Sequence, residues 1–242
     1  MDKQKLLSRL RRAVTDYNMI QDGDKIDVGV SGGKDSMVLL SLLANYRIFS
    51  KQRFELMAII IDMGLTKEDI FAPIKEYCKS IDVPLHVEKT EIGPIIFEER
   101  KETNPCSLCS KMRRGALNTV INQYGFNKLA LGHHADDVID TFLLSLMFEH
   151  RLSTFAPISY LDRTQVTVVR PLLYIFERDL MTFSKTLPIV KNPCPADKFT
   201  KREEMKQFLV KMQEVYPDVK EKLFTAISHP DRYNLWDKVK PQ

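Results

Sequence analysis

The stretch from Ile26 to Ser36, Ile-Asp-Val-Gly-Val-Ser-Gly-Gly-Lys-Asp-Ser, constrains this chain more tightly than any other. Ile26 to Val30 form a short apolar run, the pattern of a buried strand. Ser31-Gly32-Gly33-Lys34-Asp35-Ser36 follows without a break, and Met37, Val38, Leu39, Leu40, Leu42 and Leu43 then recur with helical spacing. A strand that turns directly into a helix is half of a βαβ crossover, so the sequence asks for a parallel sheet covered by helices. The same junction makes an anion site. Two glycines let the backbone approach a phosphate without a Cβ in the way. The free N–H groups and the positive dipole end of the helix favour negative charge. Ser31 and Ser36 add hydroxyl donors, and Lys34 adds a cation.

The order of these residues narrows the ligand. A Walker loop needs Gly-x4-Gly-Lys followed by Ser or Thr. Here Gly29 stands one residue too close to Gly33, and Asp35 follows Lys34. A dinucleotide fingerprint needs a second glycine where Ser31 sits. What remains, Ser-Gly-Gly-x-Asp-Ser, resembles the PP-loop of the ATP pyrophosphatases, which split ATP between the α and β phosphates. The resemblance implies an adenylated intermediate and release of pyrophosphate.

Charge and hydropathy fit a globular enzyme. The 242 residues are 44% hydrophobic and 28% charged. No apolar run reaches the roughly 18–20 residues of a membrane span. Met1 to Arg12 is charged and amphipathic, without a signal-peptide core, so the expected location is cytoplasmic, with no membrane partner. A net charge of +4 permits an RNA partner without demanding one.

Along the chain, strands are expected at Ile26–Val30, Glu55–Ile61, Leu85–Lys89, Lys128–Leu131 and Val166–Val169. Helices are expected at Asp35–Tyr46, Lys67–Ser80, Ser107–Tyr124, Asp136–Met147 and Glu177–Leu187. The alternation predicts an α/β fold, a parallel sheet of about five strands with helices on both faces. Ligands in such sheets bind beyond the carboxyl ends of the strands. An N-terminal helix in residues 1–24 precedes the α/β domain at 25–190, and a cysteine loop with a charged helical region fills 191–242.

Gly132-His133-His134-Ala135-Asp136-Asp137 follows the strand at Leu129–Leu131 and opens a helix. It belongs at the same sheet edge as the phosphate loop. Either aspartate can cap the helix. Two histidines and two carboxylates at a strand end also suit Mg²⁺ beside a triphosphate.

There are four cysteines. Cys78 reads as a small buried hydrophobe on an amphipathic helix. Cys106 and Cys109 stand in Asn-Pro-Cys-Ser-Leu-Cys-Ser-Lys-Met-Arg-Arg-Gly, residues 104–115. Pro105 suits a first helical turn, and a spacing of three puts both thiols on one face. Thiols at a helix N-terminus beside Lys111, Arg113 and Arg114 should have lowered pKa values. The pair is set up for a soft metal or for sulfur chemistry. Cys194 lies in Asn192-Pro193-Cys194-Pro195, held extended by the prolines. Three cysteines do not complete a tetrahedral zinc site. They can hold three corners of a cubane iron–sulfur cluster, leaving the fourth iron open to a non-protein ligand.

Taken in order, the loop at 31–36, the run at 106–115, the segment at 132–137, the turn Arg170-Pro171-Leu172 and Cys194 resemble the tRNA 2-thiocytidine biosynthesis family of tRNA thiolases. The likeness spans roughly residues 1–210. It implies an enzyme, a tRNA sulfurtransferase, that uses ATP and Mg²⁺ to adenylate the C2 oxygen of an anticodon-loop cytidine, after which sulfur displaces AMP. It also implies a 4Fe-4S cluster on Cys106, Cys109 and Cys194. Ser31, Gly32, Gly33, Lys34, Asp35 and Ser36 become the ATP loop, with Asp62, Gly132, His133, Asp136 and Asp137 as further ATP contacts. Asp35, Cys106 and Cys109 become catalytic. Lys111, Arg113, Arg114 and Arg170 become contacts to RNA. The partners implied are tRNA, a sulfur donor system such as a cysteine desulfurase, and a second copy in a homodimer. One departure is plain: family members carry Pro-Cys-x-x-Cys around the third cysteine, whereas Pro195-Ala196-Asp197 follows Cys194 here. Two other readings use the same residues: a PP-loop ligase or persulfide-based thiolase with another target, and a non-catalytic nucleotide-binding sensor that carries iron–sulfur or zinc.

Overall fold

The computed structural model describes residues 2–101, 105–190, 193–195 and 201–235. Asn104 and Asn192 of the two Asn-Pro-Cys segments, Ala196 and Asp197, and residues 236–242 at the end of the expected charged helical region lie outside the described residues. In chain order the elements are α1 (Lys3–Asp16), β1 (Lys25–Gly29), α2 (Lys34–Phe49), β2 (Glu55–Asp62), α3 (Ala72–Ser80) and β3 (Leu85–Lys89). Next come the short α4 (Ile92–Pro94), a π-helical turn (Ile95–Glu99), α5 (Pro105–Tyr124), β4 (Lys128–Ala130), α6 (Ala135–Phe148), β5 (Ile158–Leu161) and β6 (Val166–Val169). Finally come α7 (Glu177–Ser184), α8 (Lys201–Val215), α9 (Val219–Ser228) and a 3-10 turn (Pro230–Arg232). They group into two units: Met1–Ala135 with Ala156–Phe199, and Asp136–Phe155 with Thr200–Gln242.

The first unit holds the sheet, ordered β3-β2-β1-β4-β6-β5. Ile26 pairs with Leu56 on one side and Lys128 on the other, both parallel. β2–β3 and β4–β6 are parallel too, and β5 is antiparallel to β6. Strand order reverses at β1. The chain builds outward through β2 to β3, then crosses back along α5 to place β4 on β1's free edge. The crevice between the loops that follow β1 and β4 is therefore the topological switch point, where ligands bind in doubly wound sheets. Because parallel crossovers are right-handed, α2 and α5 take opposite faces of the sheet.

Burial explains the helices. Met37, Leu39, Leu40, Leu42 and Leu43 are fully inaccessible, so α2 is apolar all round and sits in the core. Each such side chain contributes about 1.5–3 kcal/mol by leaving water. On the other face, Val120 and Ile121 of α5 pack against Met57, Ile59, Leu129, Val166 and Val168. Asp27 pairs across β1 with Met57 and Leu129 in this apolar layer. Its carboxyl is wholly inaccessible, neither oxygen has a hydrogen-bond partner among the described residues, and burial pushes its pKa up to about 7.

All five expected strands form, and β5 adds a sixth. Ile158-Ser159-Tyr160-Leu161 is too short to stand out alone, and its turn, Asp162 to Gln165, is what reveals a hairpin. α3 starts at Ala72 rather than Lys67, because Pro73 fits a first turn but not a helix interior. α7 stops at Ser184 instead of running to Leu187, as Pro188 disfavours helical geometry in the residue before it.

The second unit contains nearly all of α6 together with α8 and α9, with Met205, Leu209 and Val219 buried. Lys201 Nζ lies 5.6 Å from the centre of the Phe148 ring. No helix among the described residues is long and apolar enough to cross a membrane.

Candidate functional site

The loop after β1 is folded on its own hydroxyls. Gly32 takes φ +83°, a left-handed conformation that suits glycine. Gly33 caps α2 in an extended conformation. Ser36 Oγ donates to the Gly33 carbonyl at 2.9 Å and accepts from Ser31 N at 3.2 Å. Ser31 Oγ accepts from Gly33 N at 3.3 Å. These bonds hold open the ring of backbone donors that begins α2, whose first N–H groups have no partner within the helix.

Two charged residues flank that opening. Lys34 Nζ bridges Asp35 Oδ2 at 3.0 Å and Glu177 Oε1, on α7, at 2.7 Å. Burial alone would lower the Lys34 pKa, but Glu177 and Asp35 outweigh it and hold the ammonium above its ordinary value. Asp35 Oδ1 is buried without a hydrogen-bond partner among the described residues, and His134 Nε2 stands 3.8 Å away.

The loop after β4 closes on this one. A Cβ on Gly132 would sit 3.0–3.1 Å from the backbone of Asp35 and Ser36, so only glycine lets the two loops approach this closely. His133 Nδ1 accepts from Arg170 Nε at 3.3 Å. Arg170 also donates to Ala156 O at 2.6 Å and Ser159 Oγ at 3.2 Å, and is nine-tenths buried. It thus clamps the β5–β6 edge and the His133 ring instead of presenting its charge to solvent. Burial lowers its pKa. Asp62, at the end of β2, accepts from Gly64 N at 3.0 Å and shapes the turn there.

Asp136 and Asp137 open α6 in the second unit, and each meets a cation of that unit. Lys220 Nζ lies 2.8 Å from Asp136 Oδ1, and Arg202 donates to Asp137 Oδ1 at 3.0 Å. A third carboxylate, Asp140, follows one turn on. Burial pushes its pKa up to about 6 against the pull of Lys206 and Arg202.

The three cysteines come together in the first unit. Cys106 and Cys109 lie on the first turns of α5, exposed and half-buried, and Cys194 is half-buried. The Cys109 thiol feels the charges of Cys194 and Cys106, which places all three near one another. Cys109 Sγ also contacts Met63 Sδ at 3.9 Å. The lowered thiol pKa expected at this helix terminus is not found at Cys109. Burial dominates and raises it, although Arg113, hydrogen-bonded to the sulfur, pulls the other way. Arg113 therefore faces the thiol, whereas Lys111 and Arg114 are exposed on α5. Cys78 is buried, as its apolar helix face suggests.

The arm that carries Cys194 is tied to the phosphate loop. Val190 N donates to Gly32 O at 3.0 Å, and Val190 Cβ lies 3.2 Å from where a Gly32 Cβ would be. Glu177, Val190 and Met63 stand in no motif, and the fold alone brings them here. Asp140 was legible in principle, one helical turn from Asp136.

Among the described residues, no group of three or more His, Cys, Asp or Glu side chains converges on a single metal ion.

Residues 3–212 match the family model of the PP-loop domain. Over 243 residues the chain is 39% identical to the tRNA-cytidine(32) 2-sulfurtransferase of Citrifermentans bemidjiense, covering 97% of this chain and 93% of that protein. It is 36% identical over 250 residues to the enzyme of the same name from Pseudomonas putida, covering 98% and 89%. Among solved structures, the U34-tRNA thiolase NcsA of Methanococcus maripaludis, determined with its 4Fe-4S cluster, superimposes with a TM-score of 0.75 at 22% identity over 96% of this chain and 79% of that one. The loop at the switch point and these near-full-length relatives agree: the chain belongs to the PP-loop family and, within it, to the family of the tRNA-cytidine(32) 2-sulfurtransferases.

Proposed function

We propose that the chain is an ATP-dependent tRNA thiolase that converts an anticodon-loop cytidine to 2-thiocytidine. The observation that carries this reading is the meeting of three thiols in the unit that also holds the phosphate loop, with the Cys194 arm fastened to that loop at Gly32. Ser31, Gly32, Gly33, Lys34, Asp35 and Ser36 cradle the pyrophosphate of ATP, with the first N–H groups of α2 aimed at it. The cytidine O2 attacks the α phosphorus, pyrophosphate leaves, and a sulfur nucleophile at C2 then displaces AMP.

Magnesium fits beside the loop. The buried Asp35 Oδ1 is an oxygen acceptor with no hydrogen-bond partner among the described residues, the kind of hard ligand that Mg²⁺ takes together with phosphates. Asp136 and Asp137 correspond to the family's acidic pair near ATP. Lys220 and Arg202 pair with these carboxylates and orient them within their own unit.

Cys106, Cys109 and Cys194 fit a 4Fe-4S cluster by donor chemistry, since soft thiolates are the usual ligands of iron–sulfur centres. Such a cluster, with one iron lacking a protein ligand, supplies a place to hold inorganic sulfur. Arg113 favours the thiolate at Cys109 that burial opposes. A sulfur donor such as a cysteine desulfurase, a homodimeric state and a cytoplasmic location complete the proposal.

The test combines anaerobically purified protein, unmodified tRNA, ATP, Mg²⁺ and sulfide, followed by mass spectrometry of the digested nucleosides and a pyrophosphate assay. Thiocytidine that forms with pyrophosphate, each dependent on tRNA, is the expected result. Iron and sulfide near four each per chain accompany it. Thiolation without iron would replace the cluster by a cysteine persulfide. Absence of both products would overturn the reading.

A further inference from the structure

A cleft of about 790 Å³ opens between α5 and the β5–β6 hairpin, in the unit that carries the cysteines. Its volume falls within the roughly 300–1,000 Å³ of sites that enclose small ligands. One wall is a stripe of α5, Lys111, Arg114 and Asn118, spaced so that they share a helix face. Lys111 begins two residues after Cys109, about 3 Å of helix rise away. The other wall is the hairpin turn with Tyr160, Asp162 and Arg163. Three cations against one carboxylate give the cleft a positive balance.

Two features point to a ligand. Asn118 is nine-tenths buried, yet its Oδ1 is shut from solvent without a hydrogen-bond partner among the described residues. A buried acceptor left unpaired is costly, and a turn of this amide into the cleft that Asn118 lines would give it a donor from whatever fills that space. Tyr160 is 53% exposed, yet its hydroxyl is held by Gln165 Oε1 at 2.5 Å. Gln165 Nε2 in turn donates to Asp162 O at 2.8 Å, with Gln165 in the left-handed region at φ +58°. An aromatic face is thus presented to solvent in a fixed orientation.

From these observations we infer that the cleft seats a single-stranded segment of RNA on its way to the cysteines. Arg163, Arg114 and Lys111 track the phosphates, Tyr160 stacks a base, and Asn118 Oδ1 accepts from a ribose hydroxyl or an exocyclic amine. Positive grooves lined with an aromatic platform bind single strands in this way, and loop nucleotides are the ones free to splay out and stack. The inference rests on the thiolase reading, which makes RNA the substrate. It adds where the strand runs and brings in Tyr160, Arg163 and Asn118.

The test measures binding of an unmodified tRNA to the full-length protein across a salt series, with ATP binding as a check of fold. Tyr160→Ala is expected to weaken binding about tenfold, and Tyr160→Phe to leave it near wild type because the ring is kept. Arg163→Ala is expected to weaken binding and lower the slope of log affinity against log salt by about 0.7, the loss of one phosphate contact. ATP binding stays unchanged in all three. If the Tyr160→Ala, Arg163→Ala double variant binds tRNA with wild-type affinity and slope, the cleft assignment is wrong while the thiolase reading stands. Unchanged tRNA binding with impaired sulfur supply would hand the cleft to a protein partner and equally overturn it. Failure of the wild-type protein to bind tRNA would remove both readings.

Discussion

The phosphate loop and the cysteine site are built in opposite ways. The loop is local. Ser31, Gly33 and Ser36 hydrogen-bond among themselves within six residues, and the helix that follows supplies the dipole. The cysteine site is assembled from afar. Cys106 and Cys109 come from the crossover helix α5, Cys194 from an arm beyond α7, and Met63 from the end of β2. A local site is specified by a motif, whereas a composite site is specified by the whole fold. Damage should therefore spread differently from each.

The largest expected effect lies on the composite side. Cys106→Ala, Cys109→Ala and Cys194→Ala should each abolish thiolation yet keep ATP affinity, since none of the three belongs to the loop. Mass spectrometry of tRNA nucleosides beside an ATP titration decides it. Full thiolation in any one variant would dissolve the three-ligand site. Next is Asp35→Ala. Removing the carboxylate proposed to hold Mg²⁺ on the phosphates should slow pyrophosphate release about 100-fold, with the iron content intact. An unchanged release rate would mean that the loop's chemistry does not run through Asp35.

A third test probes the floor beneath both sites. Asp27 stays protonated in the folded chain up to about pH 7 and ionises near 3.8 once unfolded. Between those values the unfolded state holds fewer protons, so stability should fall as pH rises, by at most about 1.4 kcal/mol per pH unit, and level off above pH 7. Denaturant melts of Asp27→Asn should lack that slope. A slope that persists in the variant would assign it to another group. The smallest effect belongs to Gly32→Ala. A left-handed alanine costs about 1–2 kcal/mol, and its Cβ would press on Val190 at 3.2 Å. A melt as stable as wild type would show that the loop relaxes freely.

The same contrast governs what could be read from the sequence. Gly33, Ser31 and Ser36 announce their site because the hydrogen bonds that shape the loop lie within the motif. The five expected strands all form: the central ones because a strand buried on both faces is a nearly continuous apolar run, and Leu85–Lys89, only half-buried, because its Leu and Val alternate with polar residues. The cysteines were legible as chemistry but not as electrostatics. Helix position and nearby arginines argue for a low thiol pKa, whereas burial, visible only once α5 is packed, raises that of Cys109. The burial of Arg170, expected among contacts to RNA, cannot be read from the sequence because it depends on the β5–β6 edge. β5 was missed, and with it the far wall of the cleft. Glu177 had no signal at all, since an isolated glutamate at a helix start is normally a favourable surface charge.

The bond from Val190 to Gly32 has a consequence for genetics. Lesions in this gene should sort into two complementing classes, those that block activation of the base and those that block delivery of sulfur, if the two functions were separable. At Gly32 they are not. A substitution there disturbs both the loop proposed to cradle phosphate and its bond to Val190, four residues before Cys194, so it is expected to score as defective in both and to be a misleading probe of either.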